Sequence, residues 1–237
     1  MKNKTSGTKN GFIFLFLGKW LKLKDRMDLL KWSGGFFSVL TLLQLFIGMF
    51  YLSGYHFPTS PLAFFYTFAA FFSHFGSISL IVWVGIVIPL TLLLPYKKFI
   101  IPLGVFLASG ILCIELLDAQ LFSSRHFHLG MLTIKILGWQ TWGFGIIYAF
   151  MFLMFNSLIA KITWDKFITA HKKVYLWVSV PVILLLLAFT HIAHIWADAA
   201  GYVDITRFTT RLPLFYPSTS KRFMVRHGFA DMSERRN

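Results

Sequence analysis

The sequence predicts an all-α, polytopic membrane bundle of about five transmembrane helices, on three observations. Of 237 residues, 57% are hydrophobic and only 14% are charged, where a soluble domain carries roughly a quarter charged residues. The charges are segregated, so long uncharged stretches alternate with short basic ones. The uncharged stretches are also long enough, at 1.5 Å per helical residue, to cross a hydrocarbon core of roughly 30 Å.

Taken in order, residues 1–31 hold eight Lys/Arg around a short apolar run, Gly11 to Gly18. Such a run reaches only about 12 Å as a helix, too short to span. No small-residue cleavage site follows it. With the alternating basic and apolar residues Lys19 to Lys31, it reads as an interfacial segment on the cytoplasmic face. The first span is expected from Trp32 to about Tyr55, ended by the loop His56 to Pro61. The stretch Leu62 to Tyr96 is too long for one perpendicular crossing and calls for tilt or an interfacial start. Tyr96-Lys97-Lys98 is a basic turn, and the third span is expected over about Phe99 to Asp118. A polar region from Ala119 to Lys135 follows, then a fourth span, about Trp139 to Ala160. A basic loop from Lys161 to Lys173 leads to the fifth, Val174 to about Trp196. The domain reading is a basic interfacial segment at 1–31, a five-helix domain at 32–203 and a basic membrane-edge tail at 204–237.

Orientation follows from loop charge. With a cytoplasmic N-terminus, the inside segments hold eight, two and four Lys/Arg, against none and two in the outside loops. The tail after the fifth span then lies outside, carrying seven basic residues. The net charge of +14 sits at the ends of apolar spans, so it speaks for topology and anionic lipid rather than nucleic acid. The lone cysteine, Cys113, lies in an apolar run and reads as a small buried residue.

Several polar groups invite a chemical reading. In the fifth span His191, His194 and Asp198 share a helical face, and Glu115 and Asp118 end the third span on the same outer side. Asp118, His191, His194 and Asp198 would suit either a metal or a satisfied polar cluster at the interface. His74 and His191 lie at similar depth, as a doubly ligated haem would need, but helix-to-helix hydrogen bonding explains such a pair equally. Arg125-His126-Phe127-His128 reads as a wet loop under the outer head groups. Neither a nucleophile elbow nor a glycine-rich phosphate loop occurs, so no enzyme, metal or cofactor is expected. The tail is more specific. Ser218, Thr219 and Ser220 can cap a short helix that Gly228 ends, and Lys221 and Arg222 fall in its first turn. A cationic helix start beside a membrane suits a lipid phosphate, with Phe223 toward the acyl chains and Arg226 one turn on.

At these residues the chain resembles the YejM/PbgA/LapC family of Gram-negative inner-membrane proteins, specifically its N-terminal five-helix domain. The resemblance runs from about Trp32 to Asp231. Its carriers are Leu117-Asp118 through Phe122, Arg125 to Leu129, His191 and Ile195-Trp196-Ala197-Asp198-Ala199. Further along come Leu212-Pro213-Leu214, Tyr216-Pro217, Thr219 to Phe223 and His227-Gly228. The resemblance implies regulation without catalysis: sensing of lipid A, the lipopolysaccharide anchor, in the periplasmic leaflet. It also implies a hold on the adaptor LapB, which otherwise delivers the deacetylase LpxC to the protease FtsH. The family's phosphate contacts match Thr219, Ser220, Lys221, Arg222 and Phe223; cardiolipin binding or transport, or another anionic phospholipid, is the alternative. Lys221 stands where the family has arginine, keeping charge but losing the bidentate fork. Glu115 and His194 stand where the family has apolar and aromatic residues. Family members continue into a sulfatase-like periplasmic domain, which residues 1–237 are expected to lack.

Overall fold

The computed structural model describes residues 7–130, 133, 139–170, 176–214 and 226–228. Their regular structure is helical throughout. Helix α1, Gly7–Gly48, continues into a 3-10 turn, Met49–Leu52. Then come α2 (Pro61–Val82), α3 (Ile88–Leu93), α4 (Lys97–Arg125), α5 (Trp139–Trp164), α6 (Leu176–Ala200) and a short α7 (Val203–Thr209). Five segments are long and apolar enough to cross a membrane: Leu23–Leu52, Pro61–Leu93, Lys97–Arg125, Gly143–Thr169 and Val178–Ala200. The predicted count of spans and the all-α class therefore hold.

Local chemistry accounts for the element boundaries. Pro61 starts α2, where a missing N–H is no loss and its fixed φ suits the first turn. Between α2 and α3 the backbone widens into a π-turn, Trp83–Val87. Pro89 lies just beyond, and its ring would crowd the carbonyl of Gly85, four residues back; the wide turn relieves that clash. The long second apolar stretch is thus one helical segment, Pro61–Leu93, with a bulge. The third helix departs most from expectation, running seven residues past Asp118 to Arg125. Ala119, Leu121 and Phe122 in that extension are buried, so a region read as polar belongs to the bundle. His126 ends the helix at φ +59, a left-handed value that histidine tolerates better than most side chains.

The helices pack in the order α6–α2–α1–α4–α5, with α1 touching α2, α4 and α5. Contact is tight where side chains are small. A β-carbon on Gly35 would run into the Phe167 ring, and one on Gly76 would fall 3.0 Å from Ile183. Since lipid tails are as apolar as leucine, such close approach and cross-helix hydrogen bonds hold a membrane bundle together. Trp32, fully buried and stacked on Phe36 at 5.2 Å, donates its indole N–H to the Ala160 carbonyl at 3.0 Å. Trp83 donates to Ser33 Oγ at 3.0 Å, and Asn156 to Ser109 Oγ at 3.1 Å. Ser79 donates to Gln44 Oε1, tying α2 to α1. Apolar side chains such as Phe46, Phe106, Phe150 and Leu185 cover the outside, which is what lipid contact requires.

Candidate functional site

Polar chemistry gathers at the end of the bundle where α1, α4 and α6 finish. Its centre is Asp118, buried on α4 two turns before that helix ends. Three donors from two separate parts of the chain converge on its carboxyl. The Tyr51 hydroxyl, at the end of α1, donates to Oδ2 at 2.7 Å. The His128 ring Nδ1 meets the same oxygen at 2.8 Å, and the Leu129 backbone N–H donates to Oδ1. A carboxyl surrounded by donors acts as an acceptor on both oxygens.

His128 passes the connection to the tail. Its Nε2 lies 3.2 Å from the Thr210 carbonyl, and its ring stacks on Phe122 at 4.7 Å and 16°. Both ring nitrogens face acceptors, so both bonds form together only when both carry a proton. Next along the tail, Arg211 donates to the carbonyls of Tyr51 (3.3 Å) and Ser53 (3.2 Å) and lies over the Tyr55 ring at 5.0 Å. Partial burial lowers the Arg211 pKa, Tyr55 opposing and nearby Arg207 reinforcing the shift. It stays cationic, because arginine starts so high. The His74 ring hydrogen-bonds the backbone of Pro213. Leu212 is buried, whereas Leu214 is exposed and held at φ +54, a strained value for a branched residue. Residues 210–213 are therefore fastened to the bundle end by His128, Arg211 and His74.

The residues singled out in the sequence fall in several places. Asp118 is the hub just described. His194 is buried and meets Thr209 Oγ1 at 3.4 Å, joining α6 to α7. His191 and Asp198 are half-buried on α6. Among the described residues, no three His, Cys, Asp or Glu side chains come together as a metal site. Asp118 and His194 thus serve separate contacts. Arg226 is exposed and helical, and Gly228 takes φ +71, the value at which glycine ends a helix. Thr219, Ser220, Lys221, Arg222 and Phe223 lie outside the described residues.

Sequence reasoning missed the role of His128, read as part of a wet loop, and that of Tyr51 altogether. These groups are 67 and 10 residues from Asp118 along the chain, so no local spacing could link all three. Glu115, one turn before Asp118, is buried rather than at a helix end. It lines a cavity of about 170 Å³ with Gln44, Ile78, Ile111, Ile114, Pro213 and Leu214.

Comparison with known proteins agrees with this architecture. The family described as "Domain of unknown function (DUF3413)" matches residues 21–237. Inner membrane protein YejM of Salmonella typhimurium is 25% identical over 215 residues, covering 87% of this chain and 37% of that protein. YejM of Salmonella typhi matches to the same extent. An uncharacterized protein of Haemophilus influenzae is 25% identical over 214 residues, with 86% and 36% covered. The chain thus spans a little over a third of the length of these curated relatives. With its five apolar helices and the match across nearly its whole length, the chain is a multi-pass protein of the bacterial inner membrane and belongs to the DUF3413 family, sharing the membrane domain of YejM.

Proposed function

We propose that this membrane domain is a non-enzymatic, lipid-responsive regulator of lipopolysaccharide synthesis. Its N-terminus faces the cytoplasm and its tail the periplasm, where Lys221 and Arg222 grip a lipid A phosphate with help from Thr219, Ser220, Phe223 and Arg226. The bundle holds the adaptor LapB through its transmembrane surface while lipid A is scarce. Bound lipid A loosens that hold and so permits LpxC degradation by FtsH.

The observation that supports this reading is the clamp of Asp118, His128 and Thr210. It fixes the tail against the bundle end just upstream of the basic segment. Thr219 follows Leu214 by five residues, so covalent geometry keeps it within about 18 Å of that point. Phosphate ligands on a tail anchored in this way sit near the head-group region, and occupancy there can strain or relax contacts with α1 and α4. The relationship to YejM supports the same placement in the inner membrane.

Charge reversal tests the site. Lys221→Glu with Arg222→Glu should lower lipid A binding in nanodiscs at least about tenfold, since each charge-assisted contact contributes roughly 1.5–3 kcal/mol. Unchanged binding removes the site. A variant that loses cardiolipin but keeps lipid A would favour the phospholipid reading instead.

A further inference from the structure

Within the bundle, the cavity behind Asp118 is built unlike the rest of the interior. Both carboxyl oxygens of Glu115 are buried without a hydrogen-bond partner of normal geometry, and so is the Gln44 Nε2. Glu115 is only 6% exposed and Gln44 is wholly buried. Gln44 approaches the Glu115 carboxyl closely enough to interact with it, but one such contact still leaves one carboxyl oxygen and one amide N–H over, and both side chains line the cavity. Gln44 is held in place because its Oε1 accepts from Ser79, which leaves its amide N–H groups for other partners. Other cross-helix polar groups in the bundle, such as Asn156 and Ser109, satisfy each other directly. An ionisable side chain at membrane depth is expensive to bury and is a functional group by default.

We propose that this cavity binds an alkyl chain bearing a hydroxyl group, with Glu115 accepting from the hydroxyl and Gln44 donating to it. A hydroxyl is both donor and acceptor, so one group answers the carboxyl oxygen and the amide N–H that the Glu115–Gln44 contact leaves over. The walls fit the chain: Ile78, Ile111 and Ile114 are apolar, and Ile114 is 55% exposed, opening the cavity sideways to acyl chains. At about 170 Å³ the space far exceeds the roughly 10–15 Å³ that one water needs. Pro213 and Leu214 form the rim, so an occupant would also touch the stretch that leads into the basic tail. The inference rests on the amphiphile reading above and narrows it. Lipid A carries 3-hydroxyacyl chains, whereas cardiolipin chains lack the hydroxyl, so the cavity would tell apart two lipids that both present phosphate.

The test uses the full chain in detergent with two uncharged probes, methyl 3-hydroxytetradecanoate and methyl tetradecanoate, and apparent affinities from native mass spectrometry. The hydroxylated ester should bind about tenfold more tightly, within what one buried hydrogen bond supplies. Glu115→Leu and Gln44→Leu should each bring the ratio close to one, whereas Glu115→Gln, which keeps an acceptor, should preserve most of it. Ile114→Trp fills the mouth without touching the polar pair and should weaken the hydroxylated ester about tenfold, which keeps the test decisive if a leucine variant does not fold. Equal binding of the two esters by the unaltered protein overturns the proposal, as does a preference that survives Glu115→Leu. Neither ester carries phosphate, so Lys221→Glu with Arg222→Glu should leave the ratio unchanged. Loss of lipid A phosphate binding and loss of hydroxyl preference are thereby separate results.

Discussion

The middle of the bundle and the end that holds the tail are fastened by different means. In the middle, the pairs joining α1, α2, α4 and α5 are neutral and each involves two groups: Trp32 with Ala160, Trp83 with Ser33, and Asn156 with Ser109. At the tail end one carboxyl draws donors from α1 and from the chain after α4, and His128 extends the link to Thr210. Neutral pairs in a membrane each contribute little, because the separated helices also find partners. A buried carboxyl stripped of its donors is far more costly. The bundle is therefore held by many weak, redundant contacts, and the start of the tail by a few contacts gathered at one end, of which the Asp118 hub is the largest. A tail attached at one end of the bundle through few contacts can be released without unfolding the helices, which is what a regulatory element needs.

Substitution can break this contrast. Asp118→Ala should have the largest effect, about 3–5 kcal/mol, because it leaves the Tyr51 hydroxyl, the His128 ring and the Leu129 N–H without their shared acceptor. Thermal unfolding in detergent should show the loss, and trypsin should cut faster after Arg207 and Arg211. A smaller penalty than that of any mid-bundle variant would refute the idea of a dominant junction. His128→Phe keeps the stack on Phe122 but removes both hydrogen bonds, and should lose about 1.5–3 kcal/mol. Its signature is selective: tail cleavage accelerates much more than the unfolding temperature falls. If both change in proportion, the tail and bundle are one cooperative unit. Trp83→Phe, which removes one neutral mid-bundle bond, should lose only about 0.6 kcal/mol and leave tail cleavage unchanged.

Much of the architecture was legible in the residues, and the reasons are local. Segregated charge and apolar run length reveal spans because lipid imposes those features on each helix separately. Pro61 and Gly228 likewise mark boundaries through their own backbone geometry. The extension of α4 past Asp118 was not legible. Gln120, Ser123, Ser124 and Arg125 make that stretch look like a loop, whereas Ala119, Leu121 and Phe122 bury a face that only neighbouring elements define.

The sequence alone determined that this chain crosses a membrane about five times and carries its charge at the edges, since burial in lipid constrains every segment by itself. Only the tertiary structure decided which polar groups meet. Tyr51, Asp118, His128 and Thr210 come from four separate stretches of chain, and Gln44 and Glu115 from two different helices. Hydrogen bonding acts over about 3 Å, so its pattern belongs to the packing of helices and not to the order of residues.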